Sequence, residues 1–233
     1  MIYVMSDIHG EYGKFLAMLE KIGFSDRDEL YVLGDVVDRG DAPAKLLNDM
    51  SMRCNVFPIM GNHDCMALAL LTRFNEEITA DNVETHLNSD IMSLLSEWLA
   101  DGGDTTLADF RKLTPDQRSA LIEYMSEFEP YAEVSVGGRD FVLVHGGLAN
   151  FSPERELYEY SMDELIYESP DYGKRYFDDR ILVTGHTPTV LISPESKGKI
   201  FKANGHIAID CGATFGMGLG CIRLDDMKEF YIE

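Results

Sequence analysis

A short apolar run that ends at a glycine-flanked cluster of polar side chains recurs five times in this chain, and that format constrains the fold more than any other feature. The five segments are IYVMSDIHG (Asp7, His9), YVLGDVVDRG (Asp35, Asp38, Arg39), VFPIMGNHD (Asn62, His63), FVLVHGG (His145) and ILVTGH (His186). Apolar runs of this length, rich in β-branched residues, suit buried strands. Between the first three lie helical patterns: KFLAMLEKIG, closed by Gly23 as a C-terminal cap, and PAKLLNDM, opened by Pro43. Strands over residues 2–6, 30–33 and 56–60 alternating with helices predict βαβ units and a largely parallel sheet. Ligands collect at the carboxyl ends of such strands, so the five clusters are expected to converge on one cleft.

The middle of the chain reads differently. Residues 75–130 follow a helical pattern, with DIMSLLSEWLADGG its clearest amphipathic stretch. TPDQRSALIEYM supplies a helix start, with Thr114 as N-cap, Pro115 at the first helical position and Gln117 closing a capping box. These residues carry 13 acids against 3 Lys or Arg. The stretch is expected to be a helical insertion forming a lid or wall of the cleft; packing on the far side is the other arrangement open to it. From Tyr131 strand-like runs return, with hairpins at Gly137-Gly138 and Asn204-Gly205, a short helix over DELIYE, and a closing hairpin in LGCIRLDDMKEFYIE. Two mixed β-sheets flanked by helices follow, an α/β fold. With no repeat or linker, residues 1–233 read as a single domain.

Composition narrows the partners. Forty-one acids against 20 Lys and Arg give a net charge of −21, which opposes duplex nucleic acid and anionic membranes. Cys54, Cys65, Cys211 and Cys221 show no metal spacing and read as reduced, mostly buried thiols. No signal peptide or spanning helix is visible, so a cytoplasmic location is expected.

Four of the six histidines sit at the strand ends; only His86 and His206 do not. Singly each cluster has a bland explanation, such as Asp35 and Asp38 capping the Pro43 helix. Five independent coincidences at five strand ends are a poor account. Asp7, His9, Asp35, Asn62, His145 and His186 offer carboxylate, imidazole and amide donors without thiolate. That set suits manganese first, with iron or zinc as alternatives. Six groups are too many for one metal with an open position, so two divalent metal ions sharing Asp35 is the economical arrangement.

The ordered set SDIHG, GDVVDRG, GNHD, HGG and GHTP resembles the calcineurin-like metallophosphoesterases, and within them the phosphoprotein phosphatase branch. It is most similar to small phage and bacterial serine/threonine phosphatases, which share segments like WLADGGDTTL and IDCGATFG. The resemblance implies that Asp7, His9 and Asp35 hold one metal and that Asp35, Asn62, His145 and His186 hold the other. It implies further that His63 protonates the leaving group, Asp38 orients His63, and Arg39 grips phosphate. A hydroxide bridging the two metals would then attack phosphorus in line.

Two positions depart from that branch outright: Ser6 replaces Gly, and Asp64 replaces Glu. A further phosphate-binding Arg is expected near Ser169, where LIYES has none, leaving Arg155, Arg175 or Arg180 as stand-ins. The leading expectation is hydrolysis of phosphoserine or phosphothreonine in a protein. The alternative is a dinucleoside polyphosphate, such as diadenosine tetraphosphate, or another small phosphoester. A catalytically silent scaffold is disfavoured by the intact ligand set. A nucleotide enzyme should offer aromatic and basic residues near the metals; the insertion has Trp98 and Tyr124 but few cations, which favours neither substrate. Oligomeric state is left open.

Overall fold

The computed structural model describes residues 1–79 and 88–233, so His86 lies outside the described residues. The first half forms β1 (Ile2–Met5), α1 (Tyr12–Ile22), β2 (Glu29–Leu33), α2 (Pro43–Ser51), β3 (Val56–Ile59) and α3 (Asn62–Asn75). Helix α1 ends where expected. Gly23 adopts φ 63° and its N–H reaches back to the Leu19 and Glu20 carbonyls, a left-handed cap that glycine enters without a Cβ clash.

The acidic middle supplies α4 (Ser89–Ala100), α5 (Gly103–Phe110) and α6 (Pro115–Ser126). Thr114 and Gln117 form the expected capping box at α6. Then come β4 (Tyr131–Val136), β5 (Arg139–Val144), α7 (Met162–Ile166), β6 (Arg180–Thr184), α8 (Thr189–Ile192), β7 (Phe201–Ala203), β8 (His206–Ala208), β9 (Leu219–Arg223) and β10 (Lys228–Ile232).

Two five-stranded mixed sheets result, ordered β10-β9-β1-β2-β3 and β4-β5-β6-β8-β7. In the first, β1, β2 and β3 run parallel while β9 pairs antiparallel with β1. In the second, β5, β6 and β8 are parallel and β4 and β7 close the edges antiparallel. Period-two alternation sorts each strand between layers. On β5, Phe141 and Leu143 face the intersheet core with Val4, Leu33 and Ile207, whereas Val142 and Val144 pack outward with Leu165 and Ile166. A strand buried on both faces reads as an unbroken apolar run, as FVLV does.

In the described part of the acidic middle, Trp98, Phe110 and Met125 share one core with Leu46, Leu70 and Met5, and the Trp98 and Thr106 side chains touch Asp38, as described below. These helices therefore lie on the same side as the Asp38 loop. The cysteine expectation needs one correction: all four thiols are free, but only Cys211 and Cys221 are buried, and Cys54 is exposed. Among the described residues no helix is long and apolar enough to cross a membrane.

Candidate metal centre

The polar clusters meet because the backbone after each strand turns in an unusual way. Asp7, His9, Asp35, Asp38, Arg39 and His186 all have positive φ, between 48° and 72°. Non-glycine residues pay roughly 1–2 kcal/mol for this region, so it persists only where neighbours impose it. Here the loops bind one another: Asp7 N–H donates to Gly34 O at 3.1 Å, His9 N–H to Asp35 O at 2.9 Å, and Gly185 N–H to His145 O at 2.8 Å. The buried Asp64 carboxylate accepts from the N–H groups of Val36, Val37 and Gly61 at 3.0, 3.3 and 3.1 Å. Burial, helped by the nearby Asp35 charge, pushes Asp64 up to about 7. Asp64 is therefore the staple between the β2 and β3 loops. Its position in the first turn of α3 was the only sequence signal for that role.

Close approach also explains two glycines. A Cβ on Gly61 would lie 2.3 Å from Asp35 Oδ1, and one on Gly185 would lie 1.8 Å from Ser6 Oγ. Neither site has room for a side chain.

The orientation of the imidazoles shows what the centre is built to hold. His9 Nδ1 donates to Val37 O at 2.9 Å and His145 Nδ1 donates to Leu33 O at 2.7 Å. Burial pushes His9 down to about 3, His186 down to about 4, and lowers His145. These rings are neutral at neutral pH, so their Nε2 atoms carry lone pairs wherever Nδ1 holds the proton. His145 Nε2 then faces Asn62 Oδ1 at 2.9 Å and Asp35 Oδ1 at 3.4 Å. An acceptor pointed at acceptors needs a cation between them. Backbone carbonyls that fix the far nitrogen are the usual support of a metal-binding histidine.

Two donor groups share Asp35: His9, Asp35 and His63 on one side, and Asp35, His145 and His186 on the other. Asn62 Oδ1 joins the second, 3.0 Å from His186 Nδ1. Asp7 stands just outside both groups. Its carboxylate accepts from the His186 N–H at 3.0 Å and from the Ser6 hydroxyl. Burial raises the Asp7 pKa well above the usual carboxylate range, and Asp210 and Asp35 raise it further. Asp210 belongs to the IDCG segment and is only 4% exposed. Four buried carboxylates, Asp7, Asp35, Asp64 and Asp210, thus crowd one centre. Such charge is tolerable when it is paired or binds cations, so the donor set fits a pair of divalent ions.

Beside this centre His63 Nδ1 lies 2.8 Å from Asp38 Oδ2. The same oxygen accepts from Trp98 Nε1 at 2.7 Å, and Thr106 donates to Oδ1 at 2.6 Å. Burial raises the Asp38 pKa despite these bonds. Burial alone would lower His63, but the Asp35 charge and the Asp38 hydrogen bond overcome it and raise it. Trp98 is fully buried, so it is an anchor for Asp38 and not a stacking surface. Neither it nor Thr106 was identifiable as an Asp38 partner from the sequence.

Arg39 reaches the same place. Its Nη1 donates to His9 Nε2 at 2.8 Å and its Nη2 to Asp101 Oδ1 at 2.7 Å. The three candidate stand-in arginines each bond to groups outside the two donor groups. Arg155 pairs with Glu164, Arg180 with Glu133, and Arg175 donates to the carbonyls of Phe177 and Asp178. The Ser169 hydroxyl bonds Thr187 at 2.7 Å.

Known proteins agree with this architecture. The model of the calcineurin-like phosphoesterase family matches residues 1–212. A symmetrical bis(5'-nucleosyl)-tetraphosphatase from Erwinia tasmaniensis is 25% identical, covering 98% of this chain and 95% of its own. One from Acidovorax sp. (strain JS42) is 29% identical over 74% of this chain, an alignment spanning 53% of that relative's length. A solved structure provisionally assigned as a diadenosine tetraphosphatase superposes with TM-score 0.66 at 15% identity, covering 99% of this chain and 92% of that one. Two mixed sheets whose strand ends gather histidine and carboxylate donors around Asp35, together with a family match across nine-tenths of the sequence, make this chain a member of the calcineurin-like phosphoesterase family.

Proposed function

We propose that the chain is a dinuclear-metal hydrolase that cleaves the phosphoanhydride of dinucleoside polyphosphates. The observation that carries the reaction class is the arrangement around Asp35: two donor groups sharing one carboxylate, with a carboxylate-held imidazole and a guanidinium at their edge. The dinucleotide preference is supported by the full-length similarity to a symmetrical tetraphosphatase. The phosphoprotein reading ranks behind it, because Arg155, Arg175 and Arg180 are turned to other partners.

In this reading His9, Asp35 and Asp7 serve one ion, while Asp35, Asn62, His145 and His186 serve the other. Bound there, two divalent ions supply Lewis-acid charge to phosphoryl oxygens and lower the pKa of water. Arg39 binds the non-bridging oxygens of the attacked phosphate, offering a planar fork of donors. His63, its pKa raised by the Asp35 charge and the Asp38 hydrogen bond, gives a proton to the leaving oxygen. Asp38 holds the His63 tautomer and is itself held by Trp98 and Thr106.

Hydrolysis assays with added manganese, offering diadenosine tetraphosphate in competition with a phosphoserine peptide, test the reading. The expected result is turnover of the dinucleotide to nucleoside diphosphates in preference to peptide dephosphorylation. Preference for the peptide would reverse it.

A further inference from the structure

A large aromatic side chain is held out to solvent beside the first donor group. Phe215 is 56% exposed. The Arg39 guanidinium carbon lies 5.5 Å from the Phe215 ring centroid, and Arg39 in turn touches His9 and His63 of that group.

Phe215 is not a loose side chain. Its short turn, Ala213–Phe215, is pinned on both sides. Lys14 Nζ donates to Ala213 O at 2.7 Å, the Asp210 carboxylate accepts from Gly212 N–H at 2.9 Å, and the Phe215 and Met217 N–H groups both return to Gly212 O. One ring face meets the guanidinium, a cation–π contact. The residue is otherwise largely exposed to solvent. Single exposed apolar residues are common and need no special explanation, but a ring fixed by this many bonds against the phosphate-binding arginine is placed for a planar partner.

We infer that Phe215 is a base-stacking residue beside the first donor group, which sets a preference for polyphosphates that carry a planar base over bare polyphosphate chains. The inference rests on the dinucleoside polyphosphate reading above. A scissile phosphate at the metals leaves a nucleoside projecting on either side, and the Phe215 ring is placed to meet one of them. Aromatic stacking is tolerant of base identity, so adenine and guanine dinucleotides should be accepted alike.

Steady-state kinetics of the manganese-loaded enzyme on diadenosine tetraphosphate and on inorganic tetraphosphate test this. Phe215→Ala is expected to raise the KM for the dinucleotide about tenfold more than that for the inorganic chain, with little change in kcat. Phe215→Leu, which keeps apolar bulk without a π face, should behave like the alanine variant, and Phe215→Trp should restore the KM. ADP binding followed by calorimetry should weaken in parallel. Equal effects on both substrates would overturn stacking while leaving the dinucleotide reading intact. A wild-type enzyme that cleaves inorganic tetraphosphate but not the dinucleotide would overturn both.

Discussion

His63 Nδ1 sits 2.8 Å from Asp38 Oδ2, inside a carboxylate cage completed by the indole of Trp98 and the hydroxyl of Thr106. All four side chains are essentially excluded from water. The pair joins an element of the β2 loop to the first turn of α3, and its outer supports come from the insertion, some 60 residues away in sequence. An imidazole so held turns its other nitrogen, Nε2, towards Arg39 Nη2 at 2.9 Å and Asp101 Oδ2 at 3.2 Å.

His63→Asn should therefore lower kcat by roughly 10²–10⁴-fold, the range for losing a positioned general acid. Its metal content should stay near that of the wild type. Asp38→Asn should lower kcat as well, because an amide can no longer fix the imidazole tautomer. Kinetics paired with elemental analysis checks both, and a His63→Asn protein stripped of metal would contradict the assignment.

Asp35→Asn should lose metal and activity together. The carboxylate is the one group common to both donor sets, and a neutral amide cannot balance two cations. Calorimetric titration with manganese reads this directly. Full occupancy of two sites in the variant would count against a shared Asp35.

Asp101 contacts the two side chains proposed to meet the substrate, with Oδ1 2.7 Å from Arg39 Nη2 and Oδ2 3.2 Å from His63 Nε2. Half-exposed ion pairs are worth about 0.2–1 kcal/mol. Asp101→Asn should release Arg39 and remove a like charge, lowering KM by about two- to fivefold. The gain should shrink at high salt. A KM that rises would mean that Asp101 helps to hold the substrate.

His206, which belongs to neither donor group, offers a pH test of stability. It is 2% exposed, stacks on Tyr172 at 4.9 Å, and places Nε2 2.9 Å from the Thr184 hydroxyl. Burial pushes it down to about 4. The unfolded chain, with an ordinary histidine near 6.5, binds the proton first as pH falls. Stability from this residue is therefore intact above about 6.5 and is lost progressively towards about 4, by roughly 3 kcal/mol at most. Denaturant melts of the wild type and His206→Gln should diverge in slope across that window.

Much of this was local and therefore legible. The capping box at Thr114, the cap at Gly23 and the turns at Gly137-Gly138 and Asn204-Gly205 depend on a few neighbouring residues, and each appears where the sequence placed it. The ligand types could be read for the same reason, since each stands at the end of its own apolar run. The sandwich and the family followed from the order of those runs. Other features are relations between distant segments. Nothing within LGCIRLDDMKEFYIE says that β9 will lie beside β1, and nothing local assigns Asp64 to the N–H groups of Val36 and Val37. Trp98 could not be linked to Asp38 from the sequence, because that partner is supplied by another element. Most telling are the left-handed turns at Asp7, His9, Asp35, Asp38, Arg39 and His186. Intrinsic preference opposes them at every one of those residues, so only loops hydrogen-bonded across the top of two sheets could impose them. Sequence alone determined which donors the chain carries and the strands that end in them; the tertiary structure decided where those donors point, because that direction is held against local preference.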